Sequence, residues 1–271
     1  MKQLSPNPDA CRLLSDAEMA RLKSSDLTHW PNPDHGCLTC GDHKVFTTPS
    51  GEEYECDCMQ QWILYHWLLN AGIVKEYQRL SWADLTQVKE EAQLAVIKWV
   101  ENLEYNVRVG RGLILWSGGT GTGKTLLATL ALKRVLSEGY DGYFTTFIEM
   151  ISTFTAGWRD EDERSWFIKR IRNVPILVVD DIGKEAKGAS NMVDSMFDMV
   201  MRYRVSAGLP TIITTNLEPS DIKSGYGRFV MSLLSEQCEL VEVPGSDYRG
   251  VKSEEKKQEA IEQTVRPLVV R

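Results

Sequence analysis

The sequence predicts an α/β domain built on a central parallel sheet flanked by helices, preceded by a small metal-binding module. Three stretches predict the sheet. Gly118-Gly119-Thr120-Gly121-Thr122-Gly123-Lys124-Thr125 fits the phosphate-cradling pattern G-x-x-x-x-G-K-S/T. It lies between an apolar run at 112–117 and an apolar helical stretch at 126–136. Ile176-Leu177-Val178-Val179 is a second apolar run and ends in Asp180 and Asp181; Thr211 to Thr215 is a third and ends in Asn216. Parallel α/β sheets take their ligands at the carboxyl ends of the strands. Polar residues that close apolar runs therefore mark that edge.

Composition narrows the class. The 271 residues are 42% hydrophobic and 25% charged, an ordinary composition for a soluble chain. A net charge of −7 argues against nonspecific coating of duplex DNA, while a local basic strip within an oligomer remains compatible with it. No run approaches a membrane span, and the first residues lack the basic-then-apolar pattern of a signal peptide. The expectation is a cytoplasmic protein with no membrane partner. Six cysteines in such a chain point to metal before disulfides.

Residues 1–35 read as an arm with one helix. Ser15 to Glu18 is a capping-box pattern, and Leu14, Met19 and Leu22 form an apolar stripe. That stripe suits a surface helix or a partner-binding arm equally. Residues 36–75 read as the metal module. Cys37-x-x-Cys40 and Cys56-x-Cys58 flank a predicted hairpin, Val45–Thr48 and Glu53–Glu55, turned by Pro49-Ser50-Gly51. Four thiolates gathered this way hold a tetrahedral zinc ion, which would supply folding energy to a segment with little core. The second pair is C-x-C rather than C-x-x-C, and His35 or His43 is an alternative ligand. Cys11 and Cys238 are isolated and read as apolar fillers. Met59 to Asn70 is a helix rich in large apolar groups and stops at Gly72. Residues 72–83 read as a linker, which sets a domain boundary near 75.

The main domain then runs from 76 to 250. Asp84–Tyr105 reads as one long helix with Leu94, Ile97, Val100 and Leu103 on its buried face. In the phosphate loop, Gly119, Gly121 and Gly123 let bare amides approach phosphate oxygens, and the following helix points its positive end there. Lys124 is the phosphate-binding amine, and Thr125 offers a hydroxyl to Mg²⁺. Tyr143–Phe147 reads as a strand, and Ile148–Ile171 as a helix with a break at Gly157. Trp158, Trp166 and the basic residues Arg159, Arg164, Lys169, Arg170 and Arg172 either grip a single strand of DNA or form a solvated face. Asp180 is expected to hold Mg²⁺, directly or through water, and Asp181 is placed to orient or deprotonate the attacking water. Asn216 is placed to hydrogen-bond that water. Helices at 189–206 and 226–236, a strand at 239–243 and a charged tail at 251–271 complete the chain.

In order and content these motifs resemble the AAA+ ATPase core over residues 80–250. Val178-Val179-Asp180-Asp181-Ile182-Gly183 and Thr214-Thr215-Asn216-Leu217 carry the resemblance with the loop, and Asp247-Tyr248-Arg249 follows in the expected place. Within that class the chain resembles bacterial and phage helicase loaders of the DnaC/DnaI type. IstB-type transposition helpers share the same wording, and the N-terminal cysteine module favours the loaders. The resemblance implies ATP, Mg²⁺ and Zn²⁺ as cofactors. It implies a hexameric replicative helicase and single-stranded DNA as partners, and ATP-state homo-oligomers with ATP between neighbours. It also implies an arginine reaching a neighbour's ATP within R-I/V-x-S-R-L/M. Here, aligned on Ser232, that slot is Phe229, and Arg228 sits one place early, about 100° around a helix. Either Arg228 still serves from a turned helix, or the finger is lost, with Arg202 or Arg204 as substitutes; hydrolysis is expected to be weak.

Overall fold

The computed structural model describes residues 45–47, 49, 51–55, 64–65, 67–183, 190–221, 234–247, 257 and 268–269. Val45–Thr47 (β1) and Glu53–Glu55 (β2) pair antiparallel, with Phe46 opposite Tyr54, as the predicted hairpin requires. Cys37, Cys40, Cys56 and Cys58 lie outside the described residues, as do the arm and Arg228. Among the described residues no cluster of His, Cys, Asp and Glu could hold a metal ion.

Residues 67–70 are helical and end at Gly72 through paired backbone bonds. Ile73 N donates to Leu68 O at 2.9 Å and Gly72 N to Leu69 O at 2.8 Å, a Schellman ending with Leu68 and Ile73 both buried. Gly72 holds φ 72°, and a Cβ there would overlap Phe144 O. The close approach lets Phe144 N donate to Ala71 O at 2.8 Å. The segment expected to be a linker is therefore part of the core. Leu64, Leu68, Ile73 and Leu85 share one buried cluster with the helix that follows the phosphate loop. A short helix, Lys75–Gln78 (α1), and a 3-10 turn at Trp82–Asp84 carry the chain across that helix.

The long helix expected at 84–105 starts later and breaks, giving Glu90–Glu101 (α2) and Leu103–Val109 (α3). Its buried face is Ala92, Val96, Trp99, Val100 and Leu103, while Leu94 is 54% exposed. Two polar anchors select that face. Trp99 Nε1 donates to Arg111 O at 3.0 Å, and Asn106 Nδ2 donates to Trp99 O at 2.7 Å.

The remaining elements are Gly112–Trp116 (β3), Lys124–Ser137 (α4), Gly142–Thr146 (β4), Phe147–Ala156 (α5) and Glu161–Phe167 (α6). A π-helical turn, Ile168–Arg172, leads to Ile176–Ile182 (β5), Ser190–Ser206 (α7), Thr211–Thr215 (β6) and Cys238–Glu242 (β7). The five strands β3 to β7 form one parallel sheet in the order β4-β5-β6-β3-β7. Period-two alternation splits the core between its faces. Leu113, Leu115, Ile176, Val178 and Ile212 pack with α4, whereas Ile114, Leu177, Val179 and Ile213 pack with Phe147, Phe197 and Val200 of α5 and α7. Each such fully buried side chain contributes roughly 1.5–3 kcal/mol.

The predicted break at Gly157 is present, and Asp160 starts α6 by accepting from Asp162 N at 2.8 Å and Glu163 N at 3.2 Å. The π turn that follows bends away from a regular ladder, and Arg204 of α7 meets its carbonyls. Arg204 is fully buried. It donates to the carbonyls of Ile171 (3.1 Å), Arg172 (3.2 Å), Val174 (2.8 Å), Pro175 (3.4 Å) and Pro210 (2.7 Å), and to Thr211 Oγ1 (2.9 Å). Burial draws its pKa down to about 9, so the guanidinium stays charged at neutral pH. This corrects the expectation that Arg204 is a candidate finger: its donors are engaged within its own subunit's core. Arg202 is exposed and pairs with Asp198 at 2.7 Å.

Candidate nucleotide site

Parallel strands bring Trp116, Asp180 and Thr215 to one edge, and β6 lies between the phosphate-loop strand β3 and the acid-bearing strand β5. The loop of residues 118–123 turns there into the amino end of α4. Gly121 at φ 69° and Gly123 at φ 94° hold the left-handed conformations that successive amides need to face one anion. A Cβ on Gly123 would stand 2.5 Å from Val88 Cγ2. Lys124 is buried, and its Nζ donates to Gly119 O at 2.8 Å and Thr122 Oγ1 at 3.2 Å. Ser117 Oγ accepts from Gly119 N at 3.1 Å and braces the loop's first turn. Gly118, Gly119 and Thr120 are exposed, and Thr125 is half-buried at the first turn of α4.

Across β6 the two acids sit in a bulge. Val179 pairs with Ile213 and Ile182 with Thr215, so β5 carries one extra residue, and Asp181 takes φ 62°. Thr214 ties the bulge to the sheet. Its hydroxyl donates to Asp180 Oδ1 at 2.6 Å and accepts from Asp181 N at 2.9 Å. Asp180 is buried and Asp181 is half-buried. Thr215 Oγ1 donates to Ile182 O at 2.8 Å and accepts from Leu217 N at 3.0 Å, which shapes the bend that carries half-buried Asn216.

Two residues here have parts that the sequence alone does not assign. One is Thr214, which sits inside a motif without an evident role there. The other is Tyr77 of α1, whose hydroxyl hydrogen-bonds the Thr125 side chain. Burial first, then the carboxylates of Glu76 and Asp180, push the Tyr77 hydroxyl well above its ordinary pKa, against the lowering effect of that hydrogen bond. Lys133 of α4 fixes the α1 segment in place, donating to Gln78 O at 3.0 Å and Leu80 O at 2.8 Å. No local pattern announces Tyr77, because its partners are far along the chain.

The basic residues between 158 and 172 divide. Arg164 Nε donates to Gly157 O at 3.1 Å, and Arg172 lies over the Tyr203 ring at 4.4 Å. Arg170 lies over Tyr143 at 4.9 Å and bonds Asn70 O, while Trp166 stacks edge-on against Tyr143. Trp158 is 60% exposed, and Arg159 and Lys169 are exposed beside α6.

The loop fits a nucleotide phosphate: a buried amine, left-handed glycines and a helix amino end converge on one point. Asp180, a buried carboxylate, and Thr125, a hydroxyl at the same edge, are oxygen donors of the kind magnesium takes.

Known proteins share this fold. Residues 68–257 match the family model described as IstB-like ATP binding protein. The chain is 25% identical over 170 residues to the uncharacterized protein YdaV of Escherichia coli K12, covering 62% of this chain and 66% of that protein. It is 26% identical over 144 residues to the replicative helicase loader DnaI of Bacillus subtilis 168, covering 51% of this chain and 45% of that one. The matches thus span less than two thirds of either relative. Among solved structures, the DnaC helicase loader is 28% identical at a TM-score of 0.54, with 63% of this chain and all of that chain covered. A replication initiator DnaA bound to AMPPCP and single-stranded DNA shares the fold at 18% identity and a TM-score of 0.51, covering 68% of this chain and 56% of that one. No described helix is long and apolar enough to cross a membrane. With the family model spanning well over half of its length, the chain belongs to the IstB-like ATP-binding AAA+ family.

Proposed function

We propose that this chain is an ATP-dependent loader that binds a hexameric replicative helicase and helps place it on single-stranded DNA. The observation that carries this reading is the match to the helicase loader DnaC along the whole of that solved chain, at 28% identity. The loop amides and Lys124 bind the phosphates of ATP, with Thr125 and Asp180 holding Mg²⁺. When bound, the magnesium neutralises charge on the phosphates. Asp181 orients or deprotonates the attacking water, and Asn216 reports on the γ-phosphate. An arginine supplied by a neighbouring subunit, Arg228 in this reading, completes the site, so turnover depends on homo-oligomers in the ATP state. Asp181 is shorter than a glutamate and is held by a bulge, which suits a nucleotide-controlled switch with slow hydrolysis. Trp158, with Arg159 and Lys169, supplies a stacking face and charge for a single strand. An arm ending near residue 35, zinc at Cys37, Cys40, Cys56 and Cys58, and a cytoplasmic location belong to the same proposal.

The test is a pull-down of the full chain, prepared with zinc and ATP, against the replicative helicase of its source or host. Helicase capture that Cys37→Ser and Cys40→Ser abolish, with metal analysis showing about one zinc per wild-type chain, is the expected result. The family model's own description favours a second reading, a transposition helper that assembles on duplex DNA. No capture, together with ATP-dependent assembly on duplex rather than single strands, would replace the first reading with the second.

A further inference from the structure

The stretch after β7 runs back across the phosphate loop. Val243 N donates to Trp116 O at 2.8 Å, which extends the β3–β7 pairing past the strand end and steers 244–247 over the glycines. A Cβ on Gly245 would stand 3.7 Å from Thr122 Cβ, and one on Gly119 would stand 3.8 Å from Gly245 O. Asp247 comes closer still. A Cβ on Gly121 would overlap its carboxylate oxygen Oδ1 and stand 2.6 Å from its Cγ and 3.1 Å from its Cα. Gly121 holds φ 69° at the centre of the loop, so a negative side chain packs directly on backbone built to receive a negative ligand.

We propose that Asp247 is an electrostatic brake on nucleotide affinity, set against the phosphate loop so that bound nucleotide exchanges quickly. The inference rests on the loop being the nucleotide site. Lys124 and the loop amides attract the phosphates, and the Asp247 carboxylate at Gly121 repels the same groups. Asp247 is exposed, so salt screens the repulsion. A switch that must release its nucleotide gains speed from such an arrangement without losing the cradle.

Stopped-flow binding of fluorescently labelled ADP and ATP, with magnesium, to the full chain tests this. Asp247→Asn should bind roughly three- to thirtyfold tighter at about 50 mM salt, mostly through slower release, and the gain should shrink towards about 0.5 M salt. Asp247→Lys should bind tighter again, and Asp247→Glu should behave as wild type. Equal or weaker binding by Asp247→Asn, a gain that persists at high salt, or a Glu variant that gains as much as Asn each overturns the brake. Binding of wild type and Asp247→Asn with equal affinity removes the brake and leaves the nucleotide site standing. Binding by neither removes both.

Discussion

At the amino ends of β5 and β6, Arg204 commits its donors to five backbone carbonyls and a hydroxyl. At the carboxyl edge of the sheet, Lys124 is also buried but turns to Gly119 O and Thr122 Oγ1, groups of its own loop. Both are cations inside one sheet-centred domain. They differ in what would happen if a partner arrived. The Arg204 partners come from α6's outlet and the approaches to two strands, and no ligand could replace them without opening the core. The Lys124 partners are a carbonyl and a hydroxyl beside exposed glycines, which a phosphate oxygen outcompetes. One edge is sealed and the other is held ready. A buried cation marks a functional site only when its partners are replaceable.

Breaking the sealed edge should have the largest effect on stability. Arg204→Met leaves five carbonyls short of a donor and should lose about 3–5 kcal/mol of folding free energy, measured by urea unfolding. Arg204→Lys should recover only part of this, because one ammonium cannot span the same carbonyls. A methionine variant as stable as wild type would erase the contrast between the edges.

Lys124→Ala should do the reverse. Nucleotide affinity should fall about a hundredfold or more, while stability without nucleotide changes by less than about 1 kcal/mol. Titration calorimetry and thermal melts without ligand read the two quantities separately. A large loss of unliganded stability would mean that this amine too is a structural rivet.

Thr214→Val sharpens the comparison at the acid side of the open edge. It removes the hydroxyl that donates to Asp180 and accepts from Asp181 N, so the bulge loses its tie to β6. The expected cost is about 1–3 kcal/mol of stability. A rise of about tenfold in the magnesium concentration needed for half-maximal ATPase or nucleotide binding should accompany it. Unchanged magnesium dependence would separate Asp180 from the metal.

Much of the open edge is legible in the amino-acid sequence, and the reason is locality. The phosphate loop works through backbone amides of consecutive residues, so spacing alone specifies it. The strands announce themselves as apolar runs closed by polar groups. Contacts between distant residues leave no such trace. Thr214 and Asp180 are 34 residues apart, and Asp247 meets Gly121 only because β7 pairs beside β3. Hydrophobic patterning puts Leu94 on the buried face of α2, where Ala92, Val96 and Trp99 stand instead; Trp99 donates to Arg111 O and accepts at its carbonyl from Asn106 of α3, contacts beyond the helix that a pattern within it does not contain. Residues 72–83 resemble a linker because their apolar groups are spaced for neither helix nor strand. Their anchors are Lys133 and the Ala71–Phe144 bond, both long-range.

Tyr77 combines the two characters, held by a structural segment yet touching Thr125, a proposed magnesium ligand, and its removal should have the smallest effect. Tyr77→Phe deletes a hydroxyl bonded to Thr125, at a cost of about 0.5–1.5 kcal/mol without nucleotide. If magnesium draws the Thr125 hydroxyl away when nucleotide binds, that cost falls mainly on the unliganded state. The variant then binds magnesium nucleotide severalfold tighter while melting lower without it. The pH dependence identifies the group. Its folded-state pKa lies above the ordinary 10.0 of tyrosine, so above that pH the unfolded chain releases a proton that the folded chain keeps. Wild type therefore loses stability as pH rises past 10, and the phenylalanine variant lacks this component. The stability gap between them should stay flat below pH 10 and narrow above it. A gap that stayed constant through that range would place the hydroxyl in water and take Tyr77 out of the site.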